Sequence, residues 1–297
     1  MADHFSVGLS LVDKSVNPDE TRNYGLAILF SNTRLTFCIL DVKRNKFIGL
    51  QQLTKYGSSL HSDSPGRNES YAGFLDSVMA EVPWLKSPFK LVRVAWEGRK
   101  STLIPAPLYE EARMENYLNF NFQPGGEEQV MSDHLLSVDS FHVFSVPAFI
   151  ASSVSQHFQE IRLVHSASVL IESIWRSYKN RINSPRVFLH LCPGFFNLVI
   201  FDGKQMSYFN TFPFQNQEDV TYYLIFVMEQ LDFNPETVPL VLLGDIEKGS
   251  PMGELLFRYV RHVEFGRRND ASKFSYVLNQ LPPQVCYSLF NIFSCGL

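Results

Sequence analysis

Gly244, Gly249 and Ser250 close an apolar run in the stretch LVLLGDIEKGSPMGELLFRY, and a segment of helical periodicity follows from Pro251. A strand, a glycine loop and a helix N-terminus in that order can present backbone N–H groups to a phosphate. The spacing from Gly244 to Gly249 fits a Walker loop, but no lysine follows Gly249 and Pro251 soon interrupts the chain of amide donors. Asp245 and Glu247 would repel a phosphate at close range. The stretch is not a P-loop.

Other constellations are poorer. His190 and Cys192 alternate onto one strand face, which would begin a metal site, yet no third or fourth ligand accompanies them and plain packing explains the pair. No GxSxG elbow and no HExxH pair occurs, and the eight histidines have no arranged carboxylate or nucleophile nearby in sequence. His165 and Ser166 precede a helical segment, where Ser166 reads as its cap. No catalytic residue and no metal ligand is assigned.

Bulk properties exclude several partners. The net charge is −4 and the pI near 6.1, so no general positive field gathers nucleic acid. The basic groups Lys43, Arg44 and Lys46, and Arg258, Arg261, Arg267 and Arg268, read as solvated surface. No apolar run approaches the roughly 20 residues that span a bilayer, and the amino terminus carries no secretory leader pattern. Cys38, Cys192, Cys286 and Cys295 form no CxxC pair and suit a reduced, cytoplasmic setting.

The elements that would position these residues come in two similar sets. YGLAILF, RLTFCILDV and KFIGLQQL read as three strands, followed by the polar loop YGSSLHSDSPGRN and a helix carrying Tyr71, Phe74, Leu75 and Val78. KLVRVAW is then a buried strand, a helix is expected from about Pro107 to Leu118, and QPGGEEQVMSD reads as an exposed excursion. FHVFSVP is a strand, Ala148 to Phe158 a helix, IRLVH a short strand and Ser166 to Lys179 a longer helix.

From Pro185 the opening pattern returns as VFLHL, FFNLVIFDG and MSYFNTFPF, with a helix from Asp219 to Leu231 and then the glycine stretch. Leu40, Asp41 and Lys43 align with Phe201, Asp202 and Lys204, a constant offset of 161 positions. Each meander needs a helix to cover its apolar face, and two such units pack naturally around a shared cleft.

Two meander, helix, strand, helix units, with SVPAFIASSVSQHF, IRLVH and SASVLIESIWRSYKN leading into VFLHLCPGFFNLVIF, resemble the actin, sugar kinase and heat-shock chaperone superfamily. More narrowly, the chain resembles an uncharacterised bacterial family with an actin-like ATPase fold. The resemblance implies an α/β chain of two ribonuclease H-like domains, 1–158 and 159–297, each with a mixed sheet of a three-stranded antiparallel meander plus parallel strands flanked by helices. The C-terminal segment would pack back on the first domain.

In that superfamily the first turn of each meander carries an Asp-x-Gly type motif, whose amides cradle phosphate and whose aspartates hold magnesium. Here the turns are Phe30-Ser31-Asn32-Thr33-Arg34 and Leu191-Cys192-Pro193-Gly194-Phe195, and neither contains an aspartate. Pro193 removes a donor, and Phe195 and Phe196 are bulky where the family has small residues. Asp41 and Asp202 stand at the far ends of the second strands, roughly 25 Å away at strand rise.

By resemblance, Gly244 and Asp245 occupy the adenosine loop. The positions that would meet a nucleotide are therefore Ser31, Asn32, Thr33, Arg34, Gly194, Gly244 and Asp245. Arg34 would supply a cation there, or else lie at a strand edge on the surface. The expectation is a catalytically inactive binding or scaffold module with a degenerate cleft, an unidentified protein partner and no cofactor. The alternative is a divergent ATPase or phosphotransferase binding ATP and Mg²⁺ through a non-standard phosphate site. If binding is the role, Trp84, Phe120, Phe122, Tyr222 and Tyr223 are candidate anchors, although most are expected in the core.

Overall fold

A computed structural model of the chain describes residues 5–55, 68–123, 125–158, 161–181 and 183–297. The polar loop expected across 56–67 lies outside the described residues, as does Pro124. In chain order the strands are β1 (Phe5–Val12), β2 (Tyr24–Ser31), β3 (Arg34–Asp41), β4 (Lys46–Lys55), β5 (Leu91–Glu97), β6 (Ser101–Pro105), β7 (Glu128–Leu135) and β8 (Ser140–Pro147). They continue as β9 (Leu163–His165), β10 (Arg186–Cys192), β11 (Phe195–Asp202), β12 (Gln205–Pro213), β13 (Leu240–Gly244), β14 (Val263–Phe265) and β15 (Lys273–Phe274). The α-helices are α1 (Asn68–Glu81), α2 (Met114–Asn121), α3 (Ala148–His157), α4 (Ser166–Tyr178), α5 (Gln217–Gln230), α6 (Pro251–Tyr259) and α7 (Tyr287–Asn291).

Two mixed sheets share one order. Five strands correspond, β4-β3-β2-β5-β9 in the first and β12-β11-β10-β13-β14 in the second, so each has an antiparallel meander extended by two parallel strands, and β1 adds antiparallel to β4 in the first. Parallel neighbours need a long crossover. α1 supplies it between β4 and β5, and α5 and α6 supply it in the second sheet.

β2 is buried along its whole length because both faces are covered. Leu26, Ile28 and Phe30 face one core with Phe74, Val78 and Ile150, while Ala27 and Leu29 face the other with Leu289 and Phe290. Each of the larger side chains among these contributes about 1.5–3 kcal/mol on burial. The second sheet packs Leu189, Leu198 and Leu242 against Leu224 and Leu256, and turns Phe188, Val199 and Val241 toward α4.

α4 is the element common to both cores. Its residues from Ser166 to Ile174 are all buried, with Val169 in the first-sheet core and Leu170, Ile171 and Ile174 in the second-sheet core. α7 does the same from the C-terminal segment, with Tyr287 on one side and Leu289 and Phe290 on the other. β15 adds to the first sheet beside β4, and the chain crosses to the second sheet through α4 after β9 has paired with β5.

The region between β5 and α3 differs from expectation. It holds a three-stranded sheet ordered β6-β8-β7. The acidic segment read as an excursion contributes β7, because Gly126 (φ 65°) makes the turn and the polar residues beyond it alternate along a strand with one wet face. The helix expected from Pro107 is instead two 3₁₀ turns leading into α2, since Pro105 and Pro107 cannot supply helical amide donors.

Candidate functional site

Strand register places the site. Ser31, at the end of β2, pairs with Glu97 at the end of the parallel strand β5, and Leu191 of β10 pairs with Gly244 at the end of β13. Each sheet thus sets a meander turn beside the end of a parallel strand. A carboxylate sits at each such end, Glu97 in one half and Asp245 in the other.

The first turn closes on its own serine. Ser31 Oγ accepts from Thr33 N at 3.4 Å and Arg34 N at 3.1 Å, and donates to the Arg34 carbonyl at 3.3 Å. The Thr33 and Arg34 amides of this turn are therefore already bonded. Asn32 is exposed at its tip and Thr33 is buried.

Arg34 then reaches out of the turn. Its Nη1 donates to Asp245 Oδ2 at 2.7 Å, and its Nη2 lies 3.7 Å from Glu97 Oε2. The Arg34 side chain is 16 % exposed, Glu97 3 % and Asp245 48 %. Arg34 is thus an inter-loop bridge, and the surface strand-edge position does not hold. Burial disfavours its charge, but Glu97 and Asp245 outweigh that and push its pKa up, so the guanidinium stays protonated. Burial pushes the Glu97 carboxyl up from its ordinary value, against the opposing pull of Arg34.

The opposite wall is a buried polar network. Cys192 Sγ lies 3.3 Å from His190 Nδ1, Asn197 Nδ2 lies 3.4 Å from the same nitrogen, and Thr211 Oγ1 donates to Asn197 Oδ1 at 2.8 Å. Burial lowers the His190 pKa to about 4 and drives the Cys192 thiol well above its ordinary value, so both are neutral at pH 7. A neutral thiol is a poor nucleophile. Among the described residues no group of three or more His, Cys, Asp or Glu side chains is placed to hold a metal ion.

The glycines serve the backbone. Gly244 has φ 88°, and a Cβ there would stand 2.1 Å from the Leu191 carbonyl oxygen. Its N–H donates to the Gln284 carbonyl, and Gln284 Nε2 donates to the Ile246 carbonyl at 2.9 Å. Close strand approach explains this glycine, and the C-terminal segment holds the loop. Ser250 Oγ caps α6 by accepting from Gly253 N. In the other turn Gly194 has φ 78° and its carbonyl accepts from Phe214 N. Phe196 stacks on Phe212 in the second-sheet core, turned away from the face that carries Asn197.

As arranged, the residues do not fit a magnesium-bound triphosphate. Phosphate oxygens would have to displace Ser31 Oγ from two amides and Asp245 from Arg34, while Glu97 faces a guanidinium in place of a cation ligand sphere.

A second buried cluster joins the three-stranded sheet to α4. His165 caps α4, its Nδ1 accepting from Ala167 N at 3.2 Å while Nε2 lies 3.1 Å from the Gly98 carbonyl. His165, and not Ser166, is therefore the cap, and its neutral Nε2–H form satisfies both contacts. Burial holds its pKa at about 3. Asp133 accepts from His165 N at 2.8 Å, and burial raises its pKa to about 6. His142 Nδ1 lies 2.8 Å from Ser168 Oγ, and its pKa is lowered well below the ordinary value by burial and by His165.

The two sheets of one order facing across α4 and α7 define the actin-like ATPase fold. A crystal structure from Bacteroides thetaiotaomicron VPI-5482, described as a protein with actin-like ATPase fold and unknown function, matches with a TM-score of 0.76 at 20 % identity, covering 95 % of this chain and 99 % of that one. The PilM-PilN type IV pilus biogenesis complex matches with a TM-score of 0.58 at 11 % identity, over 92 % of this chain and 98 % of that one. The chain itself belongs to the family described as protein of unknown function (DUF3822), whose profile matches residues 13–263. No curated protein matches it. Among the described residues no helix is long and apolar enough to cross a membrane.

Of the positions expected to meet a nucleotide, Ser31, Thr33 and Arg34 are drawn together within one turn, and Arg34 is joined to Asp245. Asn32 is exposed, and Gly194 and Gly244 are engaged by neighbouring backbone. Glu97 was missed. Its signal was an acid ending an apolar strand immediately before Gly98, the mirror of Gly244-Asp245 in the other half.

Proposed function

We propose that this protein is a catalytically inactive binding or scaffold module of actin-like fold, whose cleft is held by an internal ion pair in place of a nucleotide. The observation that carries this reading is the Arg34 bridge from the first-meander turn to Asp245 and Glu97. Two carboxylates engage the guanidinium without a ligand, and Ser31 Oγ already bonds the Thr33 and Arg34 amides. The loss of both turn aspartates removes groups that act together in phosphoryl transfer, and such losses cost several orders of magnitude in rate.

A protein partner is the favoured ligand, since PilM, of the same fold, occurs in a complex with PilN. The divergent ATP-binding alternative would require Arg34 to leave Asp245 for a phosphate. Calorimetric titration of ATP and ADP, with and without Mg²⁺, tests the proposal. Absence of binding at millimolar nucleotide supports it, and micromolar, magnesium-dependent binding contradicts it.

A further inference from the structure

One face of α5 is built unlike the surface of an ordinary two-helix layer. Glu218, Thr221, Tyr222, Ile225, Phe226 and Glu229 follow the i, i+3, i+4, i+7, i+8, i+11 spacing of a single helical stripe. With Leu255 and Tyr259 of α6 they line a groove of about 440 Å³. Tyr222 is 64 % exposed, Tyr259 53 % and Phe226 46 %, so three large aromatics stand in solvent within one concavity. Tyr222 and Phe226 stack at 6.1 Å with an interplanar angle of 17°, which presents a ready-made flat wall. Apolar concentration of this kind, rimmed by polar groups, marks docking surfaces.

The charges say what docks. Glu218 and Glu229 bound the stripe at its two ends, about 16 Å apart at helical rise, and none of the groove-lining residues is basic. Glu229 lies in the last turn of α5, where an acidic group opposes the helix dipole and no basic residue is present. Glu218, in the first turn, favours the dipole and accepts from Gln217 Nε2, so Glu229 is the acid that its own helix does not favour, and a cation seated at that end would offset it.

We propose that the α5–α6 groove docks an amphipathic helical segment of a partner protein, about three turns long, with an apolar stripe and a lysine or arginine at each end. This deepens the binding-module reading and rests on it. The acidic rim repels an anionic lipid surface, and the same acids on a second copy would meet acid with acid.

The test uses the full chain and a labelled synthetic helix of about four turns, with leucines at i, i+3, i+4 and i+7 and lysines at both ends. A control peptide carries glutamates at those ends, and binding is read by fluorescence anisotropy. The lysine-ended peptide is expected to bind at least about tenfold tighter. Phe226→Ser and Tyr222→Ser should each weaken it about tenfold, and the double change Glu218→Lys with Glu229→Lys should invert the preference. Tyr222 and Phe226 are half-exposed or more, so thermal melts of their serine variants should stay within a few degrees of the parent, and the two charge reversals act in opposite senses on the α5 dipole.

Equal binding of both peptides, no binding of either, or indifference to Phe226→Ser overturns the proposal. So does a dimer, seen by sedimentation, that Phe226→Ser dissociates, because a second copy then covers the groove. Nucleotide titration on the same samples separates the two readings. Nucleotide binding overturns the inert cleft, whereas a silent cleft with no peptide binding overturns the groove alone.

Discussion

Arg34 Nη1 lies 2.7 Å from Asp245 Oδ2, joining a turn of the first sheet to a loop of the second across 211 residues of sequence. Glu97 completes the bridge from the buried side. The three charges are unequal in burial, and this gives their substitutions unequal effects.

Arg34→Ala leaves Glu97 buried without its cation and should cost about 3 kcal/mol or more in urea unfolding. Asp245→Asn removes a half-exposed partner and should cost under about 1 kcal/mol. Adding Glu97→Gln to Arg34→Ala should recover most of the loss. Equal losses for Arg34→Ala and Asp245→Asn would show that Glu97 does not depend on Arg34.

Two glycines of the same loop separate backbone need from ligand need. Gly244→Ala places a Cβ against the Leu191 carbonyl at positive φ and should destabilise by more than about 2 kcal/mol. A methyl group at position 249 would meet only open space, so Gly249→Ala should change stability by less than about 0.5 kcal/mol. Thermal unfolding of the two variants measures the contrast, and equal melting temperatures would refute it.

The buried histidines set a pH dependence. His165 and His190, with pKa values of about 3 and 4, stay neutral in the fold but take up protons near pH 6.5 when unfolded. His142 is shifted the same way. Their stabilising effect is complete above pH 6.5 and is lost as pH falls toward 4. Asp133 acts in the opposite sense, since its raised pKa of about 6 makes the folded state bind a proton that the unfolded carboxylate has released. Burial pushes Glu97 the same way. The histidines outnumber these carboxyls, so the urea midpoint should fall between pH 6.5 and 4.5, and Asp133→Asn should steepen that fall. A flat profile would contradict the burial of the three imidazoles.

Alternation and helical spacing made the paired meanders, α4 and α5 readable in the chain, because these elements bury a whole face and their apolar residues must recur at the element's period. β7 escaped because EQVMSDHL is polar on its wet face, and β1 because its side chains are mostly half-exposed or exposed. Within the site, the missing aspartates could be read directly. The pairing of Arg34 with Glu97 and Asp245 could not, since it depends on strand register and on how two sheets face each other. The exposed anchors divided similarly. Tyr222 and Phe120 stand in solvent, whereas Trp84 and Tyr223 pack against the cores.

Amide hydrogen exchange of the turn at Thr33 and Arg34 and of the loop at Gly244 and Ile246, with and without millimolar Mg-ATP, addresses the internal bridge itself. These amides are bonded to Ser31 Oγ, Gln284 and Gly244, so they should be protected without ligand and unchanged by nucleotide. Fast exchange in the free protein, with protection appearing only when Mg-ATP is added, would show that a nucleotide and not Arg34 closes the cleft.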